Sequence, residues 1–349
     1  MDTGSSLVWF PCTQNYACSS CNFQGVDPTN ITTFLPELSS STKLVACKNP
    51  KCRWFFPNFN CTDSERKSIN RDSKICPSYE LHYGSGSTTG FLLTETLIFP
   101  GNLKSVDDFV VGCSVFATGA PTGVAGFGRG LESLPSQMGL KRFSYCMVSH
   151  QFDDALVYSD LVLDSGAAAA STAAGGGRIN YTPFRKITKT LNPGYKKYYY
   201  VTLRKDSAGN GGTMVDSGTT FTFMENPVFE MVAREFEKQV GNNYSRATEV
   251  ENKSGLRRCY RALNEVENSL ILPQLSFHFK GGAKLALPLG NYFSFWEDSV
   301  VCMTVNTDNG GGRVGPGPAI ILGNYQQQDI YMEYDLENER LGFRKQFCR

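Results

Sequence analysis

The chain has 349 residues, a formal net charge of +1, 41% hydrophobic residues and 19% charged residues. This length is enough for two lobes with a core each, and the composition excludes an intrinsically disordered chain. The small net charge gives no electrostatic reason to expect a nucleic acid or an anionic membrane as partner. No run approaches the roughly 18–20 apolar residues that span a bilayer, so we expect no membrane span.

The chain opens on an aspartate motif, Asp2-Thr3-Gly4-Ser5-Ser6, which leads into an apolar run containing Trp9. No basic and apolar leader precedes Asp2, so the sequence shows no signal peptide. A missing leader conflicts with the many cysteines that follow. We therefore expect that the start of the protein, with a strand supporting Asp2, is absent from this sequence. An inactive truncated product is one alternative for the chain.

Twelve cysteines accompany only three histidines. An even cysteine count favours disulfides and an oxidising compartment. Cys18 and Cys21 have the spacing of zinc ligands, but no two histidines stand at a paired spacing, so we expect disulfides and no metal. Five glycosylation sequons agree with the secretory pathway, and outside the cell, the cell wall or the vacuole are the expected locations. Their acceptors are Asn30, Asn60, Asn180, Asn243 and Asn252.

A glycine-rich segment, Tyr83-Gly84-Ser85-Gly86-Ser87-Thr88-Thr89-Gly90, predicts the tip of a β-hairpin with Tyr83 on its rising strand. A phosphate-binding loop is the alternative. The spacing is not G-x-G-x-x-G and no strand-to-helix pattern surrounds it, which favours the hairpin tip.

Short β-rich runs separated by Gly, Pro and Asn predict a mainly β architecture of sandwich or barrel type. The clearest such runs are Phe91–Phe99, Tyr198–Leu203 and Val300–Val305. One helix is predicted from Asn226 as cap and Pro227 as first helical residue. Its apolar stripe consists of Val228, Val232, Phe236 and Val240.

The middle of the chain carries an alanine- and glycine-rich stretch at 167–177, which predicts a flexible connection. We therefore expect an N-terminal lobe at 1–176 and a C-terminal lobe at 177–349. A third aspartate triplet, Asp164-Ser165-Gly166, precedes this stretch and is interpreted as a strand end. A second glycine-rich segment, at 308–318, predicts a surface loop.

The aspartate motif recurs as Asp216-Ser217-Gly218-Thr219-Thr220 after the apolar Thr213-Met214-Val215. Each copy has a downstream apolar element that ends in glycine. These elements are Val124-Ala125-Gly126 and Ile320-Ile321-Leu322-Gly323. Two carboxylates a few ångströms apart share one proton, so the pair supplies both the base that activates a water and the acid that protonates the scissile group.

Further motifs resemble those of the plant nepenthesin-like aspartic proteases of the pepsin family. They are the cysteine cluster from Cys12 to Cys76, Arg142-Phe-Ser-Tyr-Cys146, Gly323-Asn-Tyr-Gln-Gln-Gln328 and Tyr334–Phe343. The resemblance covers essentially the whole chain. It implies a bilobal, pepsin-like double β-barrel with a cleft between its lobes and a few short helices. It also implies a monomeric aspartic endopeptidase that is active at acidic pH, needs no cofactor and acts on peptides or proteins.

The resemblance assigns roles residue by residue. The catalytic pair is Asp2 and Asp216. Residues that support the pair are Thr3, Gly4, Ser5, Ser217, Gly218 and Thr219. Residues of the flap that closes over substrate are Tyr83, Gly84 and Ser85, with Trp9 beside them. By the same analogy the disulfides are Cys12–Cys18, Cys21–Cys113, Cys47–Cys76, Cys52–Cys61, Cys146–Cys348 and Cys259–Cys302. Sequence alone leaves this connectivity open.

Two other functions are left open. A non-catalytic binding or inhibitor protein could use the same fold, although such proteins typically lose a catalytic aspartate or the flap tyrosine. A nucleic-acid surface is the second alternative, because basic and aromatic residues cluster between Arg185 and Tyr200. A half-buried strand with one solvated face explains the same stretch more simply, so we expect no nucleic acid as partner. One departure from the family is also expected: a hairpin before residue 213 is missing, since 204–213 joins the flanking strands directly.

Overall fold

The computed structural model describes residues 1–21, 27, 30–61, 75–99, 105–120, 122–149, 158–164, 177–186, 196–204, 212–241, 244–262, 272–297, 300–307 and 318–349. They form two compact units, Met1–Gly139 and Leu140–Arg349. This division differs from the predicted boundary at residue 176, because the strand after Gly139 pairs with a strand near the C-terminus. The alanine-rich stretch up to residue 176, nearly all of the loop at 308–318 and residues 205–211 of the shortened connection lie outside the described residues.

The first unit is built on one six-stranded sheet. Its strands are β1 (Trp9–Pro11), β2 (Ala17–Ser19), β3 (Lys43–Leu44), β4 (Tyr79–Tyr83), β5 (Gly86–Ile98) and β6 (Ser105–Thr118). The order is β1-β6-β5-β3, with β2 also on β6 and β4 also on β5. A short helix, α1 (Leu134–Met138), starts at a Ser133 cap whose hydroxyl accepts from the Ser136 amide. Short 3-10 helices lie at Pro36–Leu38 and Pro50–Trp54.

The core of the first unit lies against β1, β5 and β6. Leu7, Trp9, Tyr79, Leu92 and Val110 are each at most 2% exposed. Burying side chains of this size contributes about 1.5–3 kcal/mol each. Trp9 lies opposite Gly112 in the parallel pair of β1 and β6. The packing therefore anchors the chain immediately after the first aspartate motif.

The second unit contains the remaining sixteen described strands. They are β7 (Arg142–Cys146), β8 (Leu161–Asp164), β9 (Asn180–Pro183), β10 (Tyr200–Val201), β11 (Thr213–Val215), β12 (Thr222–Met224), β13 (Tyr244–Arg246), β14 (Cys259–Ala262), β15 (Ser276–His278), β16 (Lys284–Ala286), β17 (Phe293–Glu297), β18 (Val300–Met303), β19 (Val305–Thr307), β20 (Ile320–Leu322), β21 (Ile330–Asp335) and β22 (Arg340–Lys345). Two 3-10 helices lie at Leu289–Asn291 and Asn324–Gln327.

Four sheets result from these strands. Their orders are β10-β11-β20-β12-β19, β13-β14-β18-β17, β15-β16 and β8-β7-β21-β22-β9. The mainly β prediction is confirmed, and the described strands form open sheets rather than closed barrels. The third aspartate triplet lies where β8 ends, as interpreted, and Asp164 pairs there with Arg142 at 3.0 Å; Ser165 and Gly166 lie outside the described residues.

Two helices, α2 (Asn226–Val240) and α3 (Thr248–Ser254), pack in the second unit. The predicted helix at Asn226 is confirmed, but the cap position is Glu225, without a side-chain cap bond, so Asn226 is already helical. Its buried face consists of Phe229, Ala233, Phe236 and Val240, whereas Val228 and Val232 of the predicted stripe are only partly buried. Within the described part of the chain, no helix combines the length and apolar character needed to cross a membrane.

All twelve cysteines form disulfides: Cys12–Cys113, Cys18–Cys21, Cys47–Cys61, Cys52–Cys76, Cys146–Cys348 and Cys259–Cys302. The last two pairings agree with the expected ones, and the four expected pairings among the first eight cysteines are wrong. The physical reason is strand pairing. Phe10 lies beside Cys113 in the β1–β6 ladder, which brings Cys12 to a Cα distance of 5.0 Å from Cys113.

We predict that peptide mapping of the unreduced protein will recover Cys12 linked to Cys113 and Cys18 linked to Cys21. The protein is digested at low pH to prevent disulfide exchange, and linked peptides are identified by mass spectrometry before and after reduction. Recovery of Cys21 linked to Cys113 would contradict the described pairing. The shared pair Cys259–Cys302 serves as the internal control.

Glu95, on β5, accepts hydrogen bonds from three hydroxyls before β3, those of Ser39, Ser41 and Thr42. Burial by itself favours the protonated acid, but these bonds and the Thr96 amide outweigh it and lower the pKa of Glu95 to about 2. The folded state therefore stabilises the ionised Glu95 carboxylate more than the unfolded chain does. This stabilisation is complete above the ordinary value of 4.5 and is lost as pH falls towards 2.

We predict that Glu95→Gln lowers the melting temperature by a constant amount between pH 5 and 7. The difference from the parent chain should shrink below pH 4.5 and vanish near pH 2, because the parent carboxylate is then protonated. Thermal melts across this range measure it. Glu235→Gln, on the exposed face of α2, is the control. A difference that persists unchanged at pH 2 would refute the assignment.

Candidate active site

The first aspartate lies in a loop that is hydrogen-bonded to the downstream element predicted for it. The Asp2 amide donates to the Ala125 carbonyl at 2.9 Å, and the Phe127 amide donates to the Asp2 carbonyl at 2.7 Å. Both carboxylate oxygens of Asp2 accept local bonds. The Gly4 amide donates to Oδ1 at 2.8 Å and the Ser5 hydroxyl donates to Oδ2 at 2.5 Å. These donors fix the orientation of the carboxylate.

The second aspartate is held in the same way inside the second unit. The Asp216 amide donates to the Leu322 carbonyl at 3.0 Å, at the end of the parallel pair of β11 and β20. The Gly218 amide donates to Oδ1 at 2.8 Å, and the Thr219 hydroxyl donates to Oδ2 at 2.6 Å. Asp216 is 7% exposed. The two units thus build one carboxylate arrangement twice.

Close backbone contact explains the glycine that ends each downstream element. A Cβ at Gly126 would lie 2.3 Å from the Ser6 carbonyl carbon, and one at Gly323 would lie 2.5 Å from the Phe221 carbonyl carbon. Real Cβ atoms do not approach backbone so closely, so only glycine fits at these two positions. The predicted pairing of each aspartate motif with its own glycine element is confirmed.

The predicted hairpin is present in the first unit. β4 and β5 pair up to Tyr83 and Gly86, which leaves Gly84-Ser85 as a two-residue turn. The Trp9 indole Nε1 donates to the Tyr83 hydroxyl oxygen at 2.7 Å. Burial, with the Asp2 charge, raises the pKa of Tyr83 to about 12 although Trp9 and Ser5 oppose the shift. The Tyr83 phenol therefore keeps its proton at acidic and neutral pH.

A pocket opens beside the Asp216 loop in the second unit. The loop contributes Thr220 and Phe221 to the lining, and β17 contributes Phe295 and Trp296. These two aromatic side chains are 64% and 48% exposed. No Asp, Glu, Lys, Arg or His lines this pocket. The lining is suited to an uncharged side chain.

The structure places polar side chains of two quoted motifs next to the Asp216 loop, a role that the sequence did not assign to them. Gln326 and Gln327 are completely buried in the 3-10 helix that follows Gly323. The Gln327 side-chain amide donates to the backbone carbonyls of Leu322 and Asp216. The hydroxyl of Tyr145, on β7, donates to the Gln327 side-chain oxygen. The sequence signals were the two quoted motifs that contain these residues and the run of three glutamines between two apolar strands, since buried amides need hydrogen-bond partners.

The structure describes some of the residues behind the zinc and nucleic-acid alternatives. Cys18 and Cys21, the candidate zinc ligands, are bonded to each other. Within the described ranges, no group of three or more His, Cys, Asp or Glu is arranged to hold a metal. In the basic and aromatic stretch, Tyr199 and Tyr200 are 1% and 2% exposed, so their rings are not open to base stacking.

The arrangement defines a class of protein. It is β-rich and has two copies of an Asp-Thr/Ser-Gly loop, each hydrogen-bonded to its own glycine element. Family models described as xylanase inhibitor N-terminal and xylanase inhibitor C-terminal match residues 1–156 and 199–345. A probable aspartyl protease of Arabidopsis thaliana is 32% identical in an alignment of 405 positions that covers all of this chain and 79% of the relative. Nepenthesin-2 of Nepenthes gracilis is 32% identical, covering 98% of this chain and 73% of its own.

Solved structures show the same fold. Conglutin gamma from lupine seeds superposes with a TM-score of 0.66 at 18% identity, over 98% of this chain and 86% of its own. Basic 7S globulin from soybean gives the same TM-score and identity, over 98% and 87%. The relatives at 32% identity show that the chain belongs to the nepenthesin-like, pepsin-family aspartic proteases. The solved structures confirm its pepsin-like fold.

We predict that Tyr83→Phe destabilises the first unit by about 1–3 kcal/mol, because the buried Trp9 indole N–H loses its acceptor. Denaturant unfolding followed by tryptophan fluorescence measures the change. Tyr158→Phe, at a tyrosine that is 76% exposed, is the control. In a double-mutant cycle with Trp9→Phe, Tyr83→Phe should lower the free energy of unfolding less than it does in the parent chain. Strictly additive effects would disprove the hydrogen bond.

Proposed function

We propose that the chain is an aspartic endopeptidase in which Asp2 and Asp216 act as one pair. The observation that carries this proposal is the duplicated arrangement of donors around the two carboxylates. Relatives at 32% identity are named as an aspartyl protease and an aspartic proteinase, which supports the same function. A supporting shell of this kind is what a carboxylate needs to reach a catalytic geometry reproducibly.

The proposed chemistry needs no covalent intermediate. One carboxylate of the pair is ionised and removes a proton from a water, whose oxygen attacks the peptide carbonyl carbon. The other carboxyl is protonated and donates to the carbonyl oxygen, which gives a tetrahedral diol. Proton transfer to the leaving nitrogen then breaks the C–N bond. The hairpin that carries Tyr83 is proposed to cover the substrate and exclude water.

The substrate is proposed to be an extended peptide or protein with uncharged side chains near the scissile bond. The pocket beside the Asp216 loop supports this, because its lining holds no acidic or basic residue. The protein is proposed to act as a monomer, without nucleic acid, in the secretory pathway. Six disulfides support the last point, since they persist in oxidising compartments.

An inhibitor or binding protein on the same fold is the second candidate function. The observation that favours it is the description of both matching family models as xylanase inhibitor domains. The two candidates differ in their need for the carboxylates. Inhibition of a xylanase should survive loss of Asp216, whereas hydrolysis should not.

We predict that the chain cleaves a quenched fluorescent peptide with an apolar centre at acidic pH, and that cleavage falls as pH rises because the pair loses its shared proton. Asp216→Asn should lower kcat/KM by roughly 10³-fold or more. The matched control is Asp164→Asn, which makes the same substitution in the third Asp-Ser-Gly triplet of the chain. Equal rates for the Asp216 variant and the parent chain would overturn the proposal.

A further inference from the structure

The 3-10 helix Asn324–Gln327 holds the backbone of the loop after Asp216. The Asn324 and Tyr325 amides and the Asn324 side chain donate to loop carbonyls, and the Gln326 side chain accepts from a loop amide. The loop partners are Thr219 at 2.7 Å, Thr220 at 2.9 Å, Ser217 at 3.1 Å and Thr222 at 2.7 Å. The loop geometry is therefore set from one neighbouring segment.

Gln327 extends this support to the aspartate itself. Its Nε2 donates to the Leu322 carbonyl at 3.0 Å and makes a longer contact of 3.4 Å to the Asp216 carbonyl. The Leu322 carbonyl is the acceptor of the Asp216 amide. The buried Gln327 amide thus links the ends of the paired strands β11 and β20, next to Asp216.

Tyr145 orients the Gln327 amide. Its hydroxyl donates to Gln327 Oε1 at 2.5 Å and lies 3.2 Å from the Tyr334 hydroxyl. Burial raises the pKa of Tyr145 well above its usual range, and Tyr334 and Asp216 add to the shift. The phenol therefore keeps the proton that it donates. With Oε1 fixed as acceptor, Nε2 must point to the two carbonyls.

Tyr334, Tyr145 and Gln327 form a chain of polar groups inside the second unit. Gln327 and Tyr334 are fully buried and Tyr145 is 4% exposed, and buried polar groups are costly unless each has partners. Here the partners end on the backbone of Asp216. We propose that Gln327 and Tyr145 are positioning residues that set the Asp216 loop, a role that rests on the proposed function of that loop.

Hydrolysis by single variants tests the positioning. Tyr145→Phe and Gln327→Leu should each lower kcat roughly 10- to 100-fold, with KM little changed. Gln327→Glu should retain most of the rate at acidic pH, because a protonated carboxyl can still donate to Leu322 and accept from Tyr145. Its rate should fall at higher pH as that carboxyl ionises. A melting temperature close to that of the parent chain shows that Gln327→Glu is folded, and a rate as low as that of Gln327→Leu at acidic pH would then overturn the proposal.

The matched control is Tyr331→Phe. Tyr331 is also a buried tyrosine of the second unit, and its hydroxyl donates to Glu333 Oε2 at 3.1 Å rather than to the Asp216 network. Loss of the Tyr331 hydroxyl should lower the melting temperature about as much as loss of the Tyr145 hydroxyl does, but leave kcat unchanged. Equal kcat values for the two phenylalanine variants would contradict the proposal.

A second measurement judges the positioning without catalysis. In hydrogen exchange followed by mass spectrometry, the peptide spanning 213–224 should exchange at least tenfold faster in Tyr145→Phe and Gln327→Leu than in Tyr331→Phe. Exchange equal to the control overturns the positioning role. If the parent chain cleaves no peptide but this exchange difference appears, the proposed function fails while the positioning of the loop stands.

Discussion

The hydrogen bonds that fix each aspartate carboxylate are the constraint on which the rest of the structure depends. In each unit a backbone amide and a hydroxyl, two and three residues after the aspartate, donate to its two oxygens. A carboxylate held this way has one orientation, and the backbone that carries it must be anchored equally well. The neighbouring strand elements and the glycines at 126 and 323 supply that anchor.

Much of this site could be predicted because its determinants are local. The donors to Asp2 and Asp216 lie within three residues, and a repeated motif with a repeated glycine element leaves few other arrangements. Long-range pairing could not be predicted in the same way. The disulfide from Cys12 to Cys113 depends on β1 lying parallel to β6, a contact between segments about a hundred residues apart, which a cysteine pattern does not specify.

The buried polar support was also outside the reach of pattern reasoning. Gln327 and Tyr145 lie 182 positions apart and meet only because β7 pairs with β21. A hydroxyl and an amide in apolar surroundings have no periodic signature. Helix α2 was predicted from its apolar stripe and Pro227, but its cap is Glu225, one residue before the predicted cap. Local sequence signals define the end of a helix only to within one or two residues.

An enzyme and a binding protein on this fold differ in whether the two carboxylates work together. Calorimetric titration with a statine-type peptide, whose hydroxyl mimics the tetrahedral intermediate, tests this at acidic pH. The account predicts one tight site per chain that is weakened at least a hundredfold by Asp2→Asn and by Asp216→Asn alike, but not by Asp164→Asn. Binding that is insensitive to either aspartate would contradict the account.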